Sequence, residues 1–497
     1  MPLLAPPLAK NGGARAPSDY MVPAPMATLR AKHPSCAPDR RALCSPCIAR
    51  FGAIQISNKD IVDAVRSFPA GSAGGPDGIT PQHLKDLLAA ATDDQLLNQL
   101  VQLVNLLLHG GLSQQINEII YGANLIALQK KDGGVRPIAV GYTWRRLAAK
   151  CANTYAVNKL SAQFAPIQLG VGVPGGAEAA VHATRRYVMS MSNENVLVKL
   201  DFENAFNSLR RDCMLEAVAK DMPEIYRFAH ASYSCGSVLK FGTHVIMSEE
   251  GPQQGDPLGP MLFCLTIHPL LMSLKSELRI GFLDDVTLGG PEKVVSEDIT
   301  VVESEAAKLG LQLNKLKCEI TSRVNRQQNS YREAFSGFQF TDLDNLFMLG
   351  SQVMAGSAVD RALEQKTNEL KKAISRLSTL HAHDALVILR ISLSIPKLMY
   401  TLRTASCQGS FRLTEFDIAL KDGLSSILNV NLSEDQWNQA SLPVRDGGLG
   451  IRSAASLATS AFLAFAACTN DLQSCWCCWA GARRRGSAPP DRHRPAA

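Results

Sequence analysis

Gly281-Phe282-Leu283-Asp284-Asp285-Val286-Thr287-Leu288 sets two adjacent aspartates inside an apolar run. Runs of this kind form buried strands, and a buried carboxylate without a partner is costly. Two neighbouring ones cost more, so the pair implies something that neutralises it. Upstream, Val196-Leu197-Val198-Lys199-Leu200-Asp201 is another short apolar run, and it ends in an acid. Two strand ends that bring Asp201, Asp284 and Asp285 to one point would suit Mg²⁺ held against phosphate oxygens.

The bulk numbers are permissive. A chain of 497 residues exceeds one compact core, so two or three subdomains are expected. The hydrophobic fraction of 46% is that of an ordinary globular protein, and the net charge of +6 is compatible with nucleic acid without requiring it. No run of 18 or more uncharged apolar residues occurs, so no membrane is expected. Met1-Pro2-Leu3-Leu4-Ala5-Pro6-Pro7 does not read as a secretory signal. The 13 cysteines have no framework spacing, and Cys151, Cys213 and Cys264 read as small core residues. A reducing compartment, nuclear or cytoplasmic, is the expectation.

Residues 1–50 hold 9 of the 26 prolines and show no periodicity, so residues 1–56 read as a disordered leader. His33, Cys36, Cys44 and Cys47 lack the regular spacing of a zinc knuckle and read as incidental. Ser57 opens a helix that runs to about Ser67, and Thr80 caps the next, with Pro81 in its first turn. Leu96, Leu97, Leu100, Leu103, Val104 and Leu107 form a helical stripe within 93–109. Residues 123–128 and 135–140 read as two strands of a hairpin whose tip is Lys130, Lys131, Asp132, Gly133 and Gly134. Helices follow near 143–163 and 175–190, and 196–350 alternates strand and helix. Leu363, Leu370, Ile374 and Leu377 mark an amphipathic helix, and 384–401 another, interrupted near Pro396. From Asp471 onward, including Cys475-Trp476-Cys477-Cys478-Trp479 and Arg483-Arg484-Arg485, there is no core pattern. That stretch reads as a disordered basic tail or an artefact of reading frame.

Seven motifs stand in order. They are Gly75-Pro76-Asp77-Gly78, Val135-Arg136-Pro137-Ile138, Leu200-Asp201-Phe202-Glu203-Asn204-Ala205-Phe206-Asn207-Ser208, Gln253-Gln254-Gly255-Asp256-Pro257-Leu258-Gly259-Pro260, Phe282-Leu283-Asp284-Asp285, Leu311-Gln312-Leu313-Asn314-Lys315-Leu316-Lys317-Cys318-Glu319 and Leu349-Gly350-Ser351. Over roughly residues 57–352 the chain resembles the reverse transcriptase domain of non-LTR (LINE-like) retrotransposons. The resemblance implies an α+β fold in the form of a right-hand polymerase. Fingers would occupy 57–195, a ferredoxin-like palm 196–355 and a helical thumb-like region 356–470, with tails at 1–56 and 471–497. It implies RNA-directed DNA synthesis from dNTPs on an RNA template and a DNA primer. Expected protein partners are unknown.

The same resemblance implies residue roles. Asp201 and Asp284 would ligate two Mg²⁺ ions, with Asp285 a ligand or close behind them. Phe206 would block a ribose 2′-hydroxyl, and Ala205 would leave room for the triphosphate. Gln254 would line the nucleotide pocket near the sugar, and Gly255 would let backbone approach template and base. Lys130 and Arg136 would hold phosphate oxygens, Arg136 in a bidentate manner. Lys317 would protonate the leaving pyrophosphate. Where the family usually has a small residue, this chain has Leu283, whose bulk is expected to crowd the primer end. No endonuclease constellation and no second nuclease domain is read, so a polymerase core alone is expected, whole or as a fragment. The rivals are an RNA-copying RNA polymerase, disfavoured by Phe206, and a catalytically inactive retroelement-derived nucleic-acid-binding protein, disfavoured by the three intact aspartates.

Overall fold

The Val196-Leu197-Val198 run does not alternate apolar with polar residues, and such a strand is covered on both faces. In the computed structural model, which describes residues 23–40, 51–130, 133–324 and 333–474, it is the middle of a five-stranded sheet. The strands of the two larger sheets, in chain order, are β1 (Ala123–Gln129), β2 (Val135–Gly141), β3 (Asn195–Leu200), β4 (Ser237–Phe241), β5 (His244–Ser248), β6 (Leu278–Phe282), β7 (Asp285–Pro291), β8 (Glu319–Ser322) and β9 (Gln339–Phe340). The central sheet has the order β6-β7-β3-β8-β9, and β3 runs antiparallel to both β7 and β8. Its first four strands follow the βαββαβ order of a ferredoxin-like sheet, with the first crossover enlarged by β4, β5 and their helices.

One face of this sheet carries Val196, Val198, Leu200, Val286, Leu288 and Ile320. The helices Arg211–Asp221, Gly259–Ser273 and Glu292–Lys308 cover it with Met214, Leu215, Leu262, Leu265, Val295 and Ile299. The other face offers Leu197, Leu278 and Ile280 to the helix Gly176–Ser190, through Ala179, Ala180, Val181 and Ala183. Small residues on that helix let its axis lie close to the strands.

A second sheet, β2-β1-β4-β5, contains the hairpin read from the sequence, with Leu128 paired to Arg136. Lys131 and Asp132 at its tip lie outside the described residues. Ser57 and Thr80 both cap their helices in reciprocal capping boxes, with Asp60 and His83.

The C-terminal helices enclose a separate apolar core that includes Leu363, Leu370, Leu389, Leu398, Leu402, Phe416, Leu420 and Leu424. By length and apolar composition one segment of the described residues, Ala382–Thr404, is long enough to cross a membrane. It is broken by a wide turn at Leu389–Leu393 and by Pro396, and its buried residues face this helical core. The break expected near Pro396 begins earlier, because the wider turn loosens the helix before the proline.

Arg185 ties the helical region to the central sheet. Its guanidinium donates to the carbonyls of Val353 (2.6 Å) and Gln352 (3.3 Å), and to Thr404. His182 on the same helix face meets the Arg403 carbonyl at 2.9 Å.

Three expectations are corrected. Residues 23–40 of the leader are ordered: Pro23–Ala31 is a helix whose Leu29 is fully buried against Leu125, Ala139 and Leu239 of the second sheet. An isolated apolar residue set among prolines carries no period, which is why the sequence does not reveal it. Residues 471–474 are ordered rather than part of a disordered tail, since Leu472 packs on the sheet core and Gln473 is buried; Cys475–Trp479 and the arginines lie outside the described residues. Cys151 and Cys264 are core residues as expected, but Cys213 is half-exposed, with its Sγ 3.6 Å from the Lys308 carbonyl.

Burial and the nearby Arg185 push the His182 imidazole down to about 4. A histidine kept neutral by folding costs stability once the unfolded chain can take its proton, so stability falls as pH drops from about 6.5 towards 4. Between pH 7 and pH 5 the loss from this group is expected at roughly 2 kcal/mol. Urea denaturation of wild type and His182→Gln at both pH values measures it: the difference between the two proteins shifts by that amount, and a constant difference refutes it.

Candidate active site

β3 ends at Leu200, and the next residue, Asp201, emerges half-buried at the sheet edge. Its position is set by the segment Leu311–Glu319 lying alongside. The Asn314 amide donates to the Asp201 carbonyl (2.8 Å), the Glu203 amide to Gln312 (2.8 Å), and the Asp201 amide meets the Cys318 Sγ at 3.4 Å. The same contacts bring Lys317 within electrostatic reach of Asp201.

β6 and β7 are joined by a two-residue turn, with Phe282 paired to Asp285. Leu283 opens the turn with φ +58, a conformation normally given to glycine. Continuing the β3–β7 register past Leu200 and Val286 sets Asp201 opposite Asp285. Asp284 and Asp285 therefore meet Asp201 at the same end of the sheet. All three carboxyls are raised, first by desolvation; Asp284 is raised further by Asp201, and Asp285 reaches about 6 through Asp284 and Asp201. Asp285 is the most exposed of the three at the surface, yet protein still crowds its carboxylate.

Cations oppose this charge from a different sheet. Lys130, just past β1, acts on Asp201 and Asp284, and Arg136 on β2 acts on Asp284. The hairpin thus overhangs the carboxylates. It is joined to the Gln253–Asp256 loop by the Ala139 amide, which donates to the Gln254 carbonyl at 2.7 Å. Gly255 adopts φ +127, and a Cβ there would stand 2.3 Å from the Ala139 carbonyl oxygen, so only glycine permits this approach.

Asn204, in a left-handed conformation, starts the short helix Ala205–Ser208. Ala205 is buried, and the Phe206 ring is stacked on Phe263, centroids 4.7 Å apart and 13° between planes. Phe206 remains half-exposed, so the packing role and an open face coexist. Gln254 Nε2 reaches Asn207 Oδ1 at 3.4 Å and links the two loops.

Two anchors of this region escaped the sequence reading. Arg145 is buried; its guanidinium donates to Tyr121 O (2.9 Å), Gln253 Oε1 (2.6 Å), Tyr233 Oη (3.2 Å) and Asp256 Oδ2 (2.9 Å). It fixes the loop that carries Gln254 and Gly255. A charge amid Leu147-Ala148-Ala149 was the available signal. The other anchor is the Lys32 carbonyl, which accepts from Asn204 Nδ2 (2.9 Å) and Asn207 Nδ2 (2.8 Å). No side-chain pattern announces a backbone acceptor.

Among the described residues no group of three His, Cys, Asp or Glu side chains forms a ready-made metal cage. His33 instead meets the Leu29 carbonyl, while Cys44 and Cys47 lie outside the described residues. The aspartates still fit Mg²⁺ by chemistry: they are oxygen donors whose charge is under-compensated, and Mg²⁺ sites take one or two carboxylates plus substrate phosphate. Leu283 is half-buried and packs against the main apolar core. Its side chain lies over Gly170, where a Cβ would be 2.9 Å from Leu283 Cγ and Cδ2.

Residues 128–353 match the reverse transcriptase (RNA-dependent DNA polymerase) family. The chain is also similar to the Retrotransposable element SLACS 132 kDa protein of Trypanosoma brucei gambiense, at 26% identity over 427 residues. The match covers 83% of this chain and 35% of that protein, so the chain spans about a third of the relative's length.

An aspartate raised to about 6 in the fold, against about 4 unfolded, binds more protons in the native state between those values. Stability from Asp285 therefore falls as pH rises through 4 to 6, and the penalty is complete above that window. In metal-free buffer Asp285→Asn should become progressively more stable than wild type from pH 4 to 6.5. Thermal melts across that range report it, and parallel pH profiles would exclude the repulsion.

Proposed function

We propose that this chain, whose residues 128–353 form a reverse transcriptase domain of the non-LTR retrotransposon kind, is an RNA-directed DNA polymerase that extends a DNA primer on an RNA template. The observation that carries the proposal is the convergence of Asp201, Asp284 and Asp285 at one sheet end, faced by Lys130, Arg136 and Lys317 from separate segments. In this reading the central sheet and its helices are the palm, the hairpin sheet and the helices before it are the fingers, and the C-terminal helices are the thumb.

The carboxylates of Asp201 and Asp284 would hold two Mg²⁺ ions, with Asp285 beside them. When bound, those ions supply the positive charge that makes the primer 3′-hydroxyl a nucleophile and neutralises phosphate oxygens. The chain's own residues do the rest. Arg136 and Lys130 orient the triphosphate, Arg136 through a planar two-point contact. Lys317, exposed beside Asp201, delivers a proton to the departing pyrophosphate. Ala205 leaves the backbone open under the triphosphate. Gln254 and Gly255 form the pocket wall on the sugar and base side. The Phe206 ring cannot swing aside because Phe263 backs it, so it excludes a 2′-hydroxyl by contact.

Three measurements test the proposal. Asp284→Asn should abolish Mg²⁺-dependent primer extension and raise the melting temperature in metal-free buffer, because one of three repelling charges is gone. Extension by that variant would sink the metal assignment, and inactive wild type would favour a binding remnant.

Phe206→Val should keep deoxynucleotide incorporation and shift the ribo-to-deoxyribonucleotide ratio by about 100-fold, near 3 kcal/mol at 1.4 kcal/mol per factor of ten. Single-nucleotide extension with matched dNTP and rNTP reads the ratio; no change would make the ring a packing residue only.

Lys371 and Lys372 are exposed on the helix Ser357–Leu377. Reversing both charges should weaken primer–template affinity and flatten its salt dependence, since each phosphate contact adds to the slope. Affinity titrations at several salt concentrations check this, and an unchanged slope removes that helix from the nucleic-acid path.

A further inference from the structure

The Leu283–Asp284 turn is short, half-buried at the end of its hairpin, and opened by a leucine in a glycine conformation. Turns of this geometry relax unless surrounding structure over-determines them. The amide of Leu283 and its carbonyl both lie beyond the last β6–β7 pair, Phe282 with Asp285, so the hairpin ladder does not occupy them. Both find partners on one side chain from a distant segment. Gln168, fully buried, accepts from the Leu283 amide through Oε1 at 2.9 Å and donates to the Leu283 carbonyl through Nε2 at 3.3 Å.

Gln168 is itself held rigidly. Its Oε1 also accepts from the Gly170 amide at 3.1 Å. Its neighbours pair with β6 at a single point: the Leu169 amide donates to the Gly281 carbonyl (2.8 Å), and the Gly281 amide to the Ile167 carbonyl (2.7 Å). Two glycines make the approach possible. A Cβ on Gly281 would stand 3.0 Å from Gln168 Nε2, and one on Gly170 would stand 2.6 Å from the Leu283 nitrogen. A satisfied, buried carboxamide therefore grips the peptide groups on both sides of Leu283, the second of which carries the Asp284 nitrogen.

We propose that Gln168 is a positioning residue for the catalytic turn: its carboxamide holds Leu283 in the left-handed conformation and so aims the Asp284 carboxylate at the metal-binding point. It acts through the turn and touches neither substrate nor metal. The inference rests on the polymerase reading for the identity of the ion. Groups that orient metal ligands typically change metal affinity or activity by 10- to 100-fold when lost.

The test uses the full chain with Gln168→Leu, which keeps the volume and removes both polar groups, and Gln168→Glu, which keeps the acceptor and loses the donor when ionised. Circular dichroism and melting establish that each variant is folded. Single-nucleotide extension is measured against Mg²⁺ and dNTP, and Mn²⁺ binding to the protein–primer–template complex is measured by electron paramagnetic resonance without nucleotide. Gln168→Leu is expected to need about ten times more Mg²⁺ for half-maximal rate, to lose about tenfold or more in kcat, and to bind Mn²⁺ about tenfold more weakly. Its dNTP KM and its primer–template Kd should stay within about twofold of wild type. Gln168→Glu should fall between, and it alone decides the matter if Gln168→Leu does not fold. A merely structural role would lower the melting temperature and leave the Mn²⁺ affinity and the Mg²⁺ midpoint where they are; that result overturns the inference. Should wild type fail to extend primers, the polymerase reading fails by itself, and the Mn²⁺ comparison still judges the clamp. A tenfold loss in the variant supports it, whereas equal affinity, or no binding by wild type, overturns it.

Discussion

Three carboxylates crowd the end of a buried sheet, and their mutual repulsion is the constraint that the surrounding structure has to meet. Each aspartate is partly stripped of water, Asp284 also feels Asp201, and Asp285 feels both, so the carboxyls rise above their ordinary range. Left to itself such a site would open. It holds because β3 is locked on both sides, by β7 and β8, and because two covered faces leave the strands no room to slide. A one-residue slip would turn every apolar side chain of β3 to the wrong face. The strain of the acids is thus carried by the apolar core beneath them.

The compensating charges come from elsewhere in the chain. Lys130 and Arg136 ride on a hairpin of a second sheet, and Lys317 on a loop beyond the helix Glu292–Lys308. Lys317 and Lys130 act on Asp201, and Arg136 acts on Asp284, so the cations face the negative site from separate segments. Loops around it are set by buried polar groups instead. Arg145 joins four oxygens from three segments, and the Lys32 carbonyl joins two asparagines of the Phe206 loop. Fully satisfied networks of this kind are expensive to disturb in a low-dielectric interior, and so they specify a single loop position.

Much of this was legible in the chain. Strong local signals were read correctly: the helix starts at Ser57 and Thr80, the hairpin of β1 and β2, and the acid that follows β3. Each depends on neighbours within a few residues, where period, capping chemistry and burial cost act directly. What was missed depends on distant partners. Leu29 is buried only because the second sheet offers it a cavity, and nothing near it in sequence says so. Arg145 and Asp256 meet across 111 residues. The Leu283 amide finds its acceptor, Gln168, across 115 residues.

The sequence by itself determined that one acid ends an apolar run and two more interrupt another, that an ordered series of turns and strands surrounds them, and that an aromatic follows the first acid by five residues. These are consequences of periodicity and of the cost of burying charge, which any short window expresses. Only the tertiary structure decided that the acids converge, that cations of another sheet overhang them, that the Phe206 ring is backed by Phe263, and that one buried glutamine grips the turn between β6 and β7. Convergence is a property of strand register and of loop closure over long separations, and neither is carried by local chemistry. The register of β3 against β7 follows from packing both faces at once, a balance that exists only when the whole chain has folded.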